Sequence, residues 1–187
     1  REWGPDPEWH LERHRLHLAA GDLDAALEDL ALLELDFPEV VEAPLQRARM
    51  LSSVGREAEA ETVLRSALDR TGHGRLHLEL AQVLTARGET ADARVHVRSA
   101  FTAEGVPLAE KVNIAWTYIE LAEIQVDLQE EAANLIDLLL TVHPEEATPF
   151  ELLAALRDIQ GDAPGALDAL ERALEKDPNA AERWLEA

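Results

Sequence analysis

The sequence predicts an all-α protein, a solenoid built from short antiparallel helix pairs. Three landmarks recur in one register and support this prediction: a turn residue between two helices, an alanine five residues later, and a proline or glycine that closes the pair. The turn residues are Gly21, Gly55, Gly88, Asp127 and Gly161, the alanines Ala26, Ala60, Ala93, Ala132 and Ala166, and the closing residues Pro38, Gly72, Gly105, Pro144 and Pro178. One such pair cannot bury its own apolar side chains, so we expect the five pairs to stack.

The first four helix pairs follow in the order that these landmarks set. They are predicted near 7–20 and 23–36, 41–54 and 57–70, 74–87 and 90–103, and 107–126 and 129–142. The step between turn residues is 39 from Gly88 to Asp127, but 33 or 34 elsewhere. Because Pro107 can open a helix, we expect one long helix over 107–126 to absorb the five extra residues. A lengthened linker near 105–112 is the alternative.

The fifth pair, from Thr148 to Pro178, has the clearest helix signals. Thr148, Pro149 and Glu151 form a capping box with proline at the first helical position. Gly161 ends the first helix and Asp162 can cap the second. Apolar residues recur at helical spacing in both: Phe150, Leu153, Ala154 and Leu156, then Ala166, Leu167, Leu170, Ala173 and Leu174.

A further helix is predicted after the fifth pair. Asn179 and Glu182 form a second capping box, and Trp184 follows within the next turn. We therefore expect a helix to begin over 180–187, either as the start of a sixth unit in a longer protein or as a capping helix.

These landmarks resemble the tetratricopeptide repeat, which has a period of about 34 residues and a W-x2-L-G-x2-Y…A-x3-F…P signature. Matching residues are Ala48, Ala60, Leu64 and Ala67; Ala81, Ala93, Val97 and Ala100; Trp116, Ile119, Ala132, Ile136 and Pro144; and Phe150, Leu153, Ala154, Ala166, Leu170, Ala173 and Pro178. The resemblance implies one right-handed superhelical α-solenoid domain over 1–187. Its repeats would span about 7–40, 41–73, 74–106, 107–146 and 147–180.

The resemblance also implies a non-catalytic scaffold that binds a peptide or a partner helix in a groove lined by the first helix of each pair. The second, fifth and ninth positions of these helices and adjacent residues give the candidate groove: Leu11, Arg15, Leu45, Gln46, Arg49, Arg75, Leu78, Gln82 and Tyr118. Members with a carboxylate clamp carry Lys and Asn where Leu11 and Arg15 stand, so that clamp is not supported. Arg15 and Arg49 are interpreted either as ligand contacts or as partners of nearby glutamates. Two alternative functions remain. One is a self-assembling oligomerisation module, and the other is a recruiting or regulatory domain of an enzyme whose catalytic part lies outside 1–187.

The composition excludes several classes of partner. There are 38 acidic and 17 basic residues, a net charge of −21, which disfavours binding of nucleic acid or an anionic membrane. The acidity is interpreted as a solvated outer face, with an acidic docking patch as the alternative. No apolar run is long enough to span a membrane, and there is no cysteine for a disulfide or a thiolate site. These features do not fix the compartment; a soluble, cytoplasmic protein is the expectation.

Three histidines of the first helix are the strongest candidates for a metal site. His10, His14 and His17 lie at i, i+4 and i+7, in the positions where this repeat usually carries Trp, Gly and Tyr. Imidazoles at that spacing can share a metal, but these positions face the second helix, so we predict packing residues and no cofactor. His73, His77 and His96 are scattered and receive no role. Neither a phosphate loop nor a nucleophile motif is present, so we predict no enzymatic activity.

Overall fold

Residues 6–178 are described by a computed structural model of the protein, and within them the chain is all-α. The predictions made for Asn179, Glu182, Trp184 and the helix over 180–187 lie outside the described residues. The helices are α1 Pro7–Ala19, α2 Leu23–Asp36, α3 Glu42–Ser53, α4 Glu57–Thr71, α5 Gly74–Ala86, α6 Thr90–Thr102, α7 Leu108–Ala122, α8 Asp127–Val142, α9 Thr148–Ile159 and α10 Ala163–Lys176.

The predicted landmarks have the expected structural roles in most pairs. All five landmark alanines are buried, which lets the paired helices approach closely. Four of the turn residues are glycines with positive φ, from 74° at Gly161 to 80° at Gly88. This left-handed conformation is the one that glycine adopts at low cost, and it closes a three-residue turn between two helices.

The fourth pair differs from its prediction. The helix expected over 107–126 ends at Ala122, and Asp127 is the first residue of α8 rather than a turn residue. The five extra residues are shared between a 15-residue α7, a turn over 123–126, and an α8 that begins five residues before its landmark alanine instead of three. The error arose because apolar residues continue through Ile124 and Val126, whose side chains are exposed rather than part of a buried stripe.

The helices pack into two compact units, which are described separately. The first unit ends at Gly105 and contains α1–α6, while the second begins at Val106 and contains α7–α10. The organisation of 1–187 as a single solenoid stays a prediction.

In the first unit three helix pairs stack in chain order. Besides the contacts within pairs, α2 packs on α3, α4 on α5, and α3 on α5. The largest fully buried side chains are those of Leu30, Leu33, Leu45, Leu64, Leu76, Leu80, Leu84 and Phe101. Apolar side chains of α2 to α6 therefore form the core of this unit, and the buried residue that α1 adds is His14.

The end of the first unit is tied back to the beginning of α5. The backbone N–H of Gly74 donates to the carbonyl of Glu104 at 2.7 Å. Gly105 has a φ of 90°, and a Cβ at this position would overlap the His73 ring. Only glycine fits this position without displacing His73, because both the backbone conformation and the space exclude a side chain.

In the second unit two helix pairs pack on each other. Here α8 contacts α9, and α7 contacts α9. Ile119, Leu135, Ile136 and Leu139 are fully buried, and Phe150 packs with Ala147, Ala173 and Leu140. The Arg172 guanidinium lies 4.5 Å from the centre of the Phe150 ring, where a cation is attracted by the ring face.

Candidate interaction surface

The first helices of the first unit, α1, α3 and α5, are joined directly. His14 is buried, and its Nδ1 donates to the carbonyl of Ala26 at 2.9 Å. Its Nε2 can then accept from Gln46 Nε2 at 2.9 Å, so α1 and α3 are linked through one imidazole. Because α3 also packs on α5, exposed and half-buried side chains of these three helices form a common surface. We call it the first-helix face: Leu11, Arg15, Leu18, Gln46, Arg49, Arg75, Leu78 and Gln82.

The predicted groove residues have different degrees of exposure. Leu11 is 42% exposed, Gln46 and Gln82 are exposed, and Leu78 is half-buried. Leu45 is only 2% exposed and belongs to the core, which corrects its predicted place in the groove. Tyr118 lies on α7 in the second unit and is half-buried. The first-helix face therefore keeps two of the three predicted leucines and gains Leu18, which is 42% exposed.

Each arginine of this face already holds a carboxylate. Arg49 Nε donates to Glu79 Oε2 at 2.7 Å across α3 and α5, and the Glu79 side chain is only 7% exposed. Arg75 bonds Glu42 at 3.1 Å between the same two helices. Of the two interpretations, the structure therefore contains the pairing with nearby glutamates.

Arg15 forms its pair within α1. Its guanidinium bonds both carboxylate oxygens of Glu12, at 2.6 and 3.0 Å. These hydrogen bonds hold the pKa of the Glu12 carboxyl below its ordinary value. Both side chains are largely exposed to water, so this pair neutralises charge without joining two helices.

The three histidines of α1 face separate groups on α2; His10 and His14 form hydrogen bonds there, and His17 Nδ1 forms none. His10 Nε2 bonds Asp36 Oδ2 at 3.0 Å, His14 bonds the Ala26 carbonyl, and His17 Nδ1 lies 3.8 Å from Asp29 Oδ2. The imidazoles thus point at different acceptors along the second helix of their pair. Among residues 6–178, no group of three or more histidines and carboxylates could hold a metal ion.

One histidine pair was missed by the sequence interpretation. His77 on α5 and His96 on α6 approach with their Nδ1 atoms 2.9 Å apart and their ring centres 5.2 Å apart. Burial lowers the pKa of both imidazoles, and for His96 the neighbouring His77 and Arg65 lower it further. One ring must donate and the other accept in this contact, so a proton on both rings would break it. The two residues are 19 apart and meet only because the helices are antiparallel.

A pocket between α2, α3 and α4 of the first unit does not suggest a ligand site of its own. It has a volume of about 400 Å³ and is lined by Asp24, Leu27, Glu28, Ala31, Arg47, Leu51, Arg56, Glu59, Thr62 and Val63. Arg56 is shared between Asp24 at 2.9 Å and Glu59 at 2.7 Å. Arg56 therefore neutralises two carboxylates of the lining, and we read this pocket as a junction between repeats.

Among residues 6–178, every helix is too short or too polar to span a lipid bilayer.

The sequence matches no protein-family model and no curated protein. Solved structures do match. A MamA protein is 15% identical, and the match covers 94% of each chain with a TM-score of 0.51. Residues 41 to the end of MamA from Desulfovibrio magneticus RS-1 are 17% identical, and the match covers 95% of this chain and 98% of that one with a TM-score of 0.51. A tetratricopeptide repeat protein from Parabacteroides merdae ATCC 43184 is 18% identical, over 93% of this chain and 68% of that one, with a TM-score of 0.50. Identities this low establish the fold alone. The chain therefore has the all-α fold of stacked helix pairs that characterises the tetratricopeptide-repeat proteins.

Proposed function

We propose that this protein is an interaction scaffold that binds an extended peptide on the first-helix face. On the adjoining first helices, exposed apolar side chains lie beside side chains that can form hydrogen bonds, and this arrangement supports the proposal. Leu11 and Leu18 flank Arg15 on α1, and Gln46 and Gln82 are exposed on α3 and α5. Such a surface can contact the side chains of a peptide and also bond its backbone. The shared fold with tetratricopeptide-repeat proteins supports the same function.

The ion pairs of this face determine which chemical groups of a ligand can bind beside them. A guanidinium has five N–H donors, and Arg49 directs only its Nε and one terminal nitrogen at Glu79. A ligand oxygen can therefore bond the remaining donors without displacing Glu79. We expect a peptide with apolar residues against Leu11 and Leu18 and an acceptor, either a carbonyl or a carboxylate, near Arg49.

Calorimetric titration of a partner recovered by affinity pull-down tests this proposal. The Leu11→Lys and Gln82→Lys variants should each weaken binding about tenfold, because they place a flexible charge on the contact surface. Leu35→Lys is the matched control, since Leu35 is 76% exposed on α2, away from the first helices. The melting temperature of each variant should equal that of the wild type. Loss of affinity in the control alone would place the partner on the second helices and contradict the proposal.

Self-association is a second candidate function, which we propose because of two exposed residues of α1. Trp9 and Leu16 are 69% and 54% exposed. Counted from the turn glycines, the equivalent residues are Ala43 and Met50 in α3, and Leu76 and Val83 in α5, all of which are at least partly buried. Ala43 packs against Leu30 and Leu33 of the preceding pair. A second copy could cover the corresponding surface of α1 in the same way.

Sedimentation equilibrium tests this second candidate. A wild-type mass above that of a monomer, reduced to the monomer mass by Trp9→Lys combined with Leu16→Lys, would support self-association. Leu35→Lys again serves as the control, because it introduces the same group at another exposed leucine. A monomeric wild type over the accessible concentration range would exclude the candidate.

A further inference from the structure

The turn between α7 and α8 differs from every other turn within a described helix pair. The others span 20–22, 54–56, 87–89 and 160–162, and each has three residues with glycine in the middle. The α7–α8 turn has four residues, Glu123 to Val126, and no glycine. Ile124 and Val126 are 82% and 73% exposed, and Leu121, at the end of α7, is 40% exposed. We call Leu121, Ile124 and Val126 the α7–α8 tip.

The exposed side chains of the tip are not needed to close the turn. The backbone N–H groups of Ile124 and Gln125 both donate to the carbonyl of Leu121, at 3.1 and 2.8 Å. Leu128 N–H donates to the carbonyl of Gln125 at 2.9 Å and begins α8. These bonds involve the main chain alone, so polar residues at 124 and 126 would make them equally well. Apolar side chains grouped at a turn and left in water indicate a contact surface.

The chain on both sides of the tip carries acidic residues and no basic ones. No lysine or arginine occurs from residue 112 to residue 156, while this stretch contains nine acidic residues. Glu120, Glu123 and Glu130 are exposed beside the tip. This charge repels an anionic membrane and nucleic acid, and also repels the same tip of a second copy. The partner that it favours carries positive charge around an apolar depression.

We propose that the α7–α8 tip inserts into an apolar pocket of another protein whose rim carries arginine and lysine. Ile124 and Val126 fill the pocket, and the flanking carboxylates pair with the rim. This contact uses residues of the second unit and is independent of peptide binding on the first-helix face. Binding should weaken when the Ile124 and Val126 side chains are removed, and it should also weaken when salt is added.

Selection of phage-displayed random peptides on the wild-type protein tests the proposal with a defined probe. Enriched peptides should combine apolar residues with arginine or lysine, and raised salt should weaken their binding. The Ile124→Ser/Val126→Ser variant should bind them about tenfold more weakly. Leu35→Ser/Leu167→Ser is the matched control, since both leucines are more than 60% exposed elsewhere on the protein, and it should bind as the wild type does. Equal melting temperatures establish that both variants are folded.

Several results would overturn the proposal. The selection could yield no peptide that distinguishes the tip variant from the wild type, or the enriched peptides could lack basic residues. Wild-type self-association that the tip variant abolishes would make a second copy the occupant. Cosedimentation with phosphatidylcholine–phosphatidylserine vesicles, lost in the tip variant, would make it a membrane surface.

Discussion

The two units share one fold but differ in their charges. Residues 1–105 contain 12 basic residues, all arginine, and 20 acidic ones, whereas residues 106–187 contain 5 basic and 18 acidic residues. In the first unit arginines join neighbouring helices, as Arg49 does with Glu79 and Arg75 with Glu42. In the second unit, with so few cations, most carboxylates must be solvated. Stacked helix pairs therefore tolerate very different electrostatics, because apolar packing is common to both units.

Core truncation should have the largest effect, and it tests whether apolar packing is the common element. Leu139→Ala in α8 and Leu64→Ala in α4 each remove a fully buried side chain, and each should lower the free energy of unfolding by about 2–5 kcal/mol. Urea denaturation followed by circular dichroism measures the change, and hydrogen exchange locates it to the unit that was altered. Leu167→Ala, at a leucine 62% exposed on α10, should have little effect. A loss below about 1 kcal/mol at Leu139 would show that packing does not dominate the second unit.

Reversal of the Arg49 charge should have the next largest effect, and only in the first unit. Arg49→Glu removes the partner of a carboxylate whose side chain is 7% exposed and places a like charge beside it. We expect a loss of about 1–3 kcal/mol in unfolding free energy, with a smaller loss for Arg49→Gln. Arg15→Glu is the matched control, because its pair with Glu12 is exposed on a single helix. Equal stability of the two charge reversals would mean that the Glu79 pair does not join α3 to α5.

Acidification should weaken the first unit through the His77–His96 contact. The folded pKa of both imidazoles lies below the ordinary value of 6.5, so the unfolded chain takes up protons first. Stability is therefore complete above about pH 6.5 and falls as the pH drops toward the folded pKa values. The charged groups near the pair are Arg65 and Glu61 on α4 and Asp92 on α6. As the pH is lowered, the melting temperature of the wild type should fall more steeply than that of the His96→Gln variant. Parallel pH profiles would contradict this prediction.

Salt should have the smallest effect, and it should stabilise the second unit more than the first. Raised ionic strength screens the repulsion among the carboxylates of the second unit, where it should slow hydrogen exchange slightly. In the first unit it also weakens exposed pairs such as Arg56 with Glu59, so the two effects oppose each other. Hydrogen exchange with and without added salt measures both. A larger stabilisation of the first unit than of the second would reverse the comparison.

Much of the fold could be predicted from the sequence because its signals are local. Turn glycines and landmark alanines lie within a few positions of what they determine, and the predicted cap Asp162 accepts from Gly165 at the start of α10. The capping box predicted at Thr148 was wrong, because α9 already begins at Thr148 and its N-cap residue, Ala147, forms no side-chain cap bond. The fourth pair failed because spacing alone cannot distinguish a buried stripe from an exposed tip. Ile124 and Val126 continue the apolar pattern, yet neither is buried.

The candidate surface was less predictable because its contacts join different repeats. Arg49 and Glu79 are 30 residues apart, and their pairing depends on how α3 packs against α5. Leu45 occupies a position expected to face a ligand, but it is buried in the core. His77 and His96 carry no local motif at all. Identifying such pairs needs the stacking geometry, which the spacing of landmarks does not contain.

The closure at Gly105 makes the first unit a natural building block. The bond from Gly74 to Glu104 lies within the unit, and Gly105 is a position that a residue with a side chain would disrupt. If the gene were divided after the codon for Gly105, then Gly74, Glu104 and Gly105 would all be encoded on the same side of the cut. Because repeat proteins gain stability from neighbouring pairs, the three-pair block can be duplicated or joined to other arrays at this glycine. The junction of Gly74, Glu104 and Gly105 thus marks where recombination could shorten or lengthen the protein.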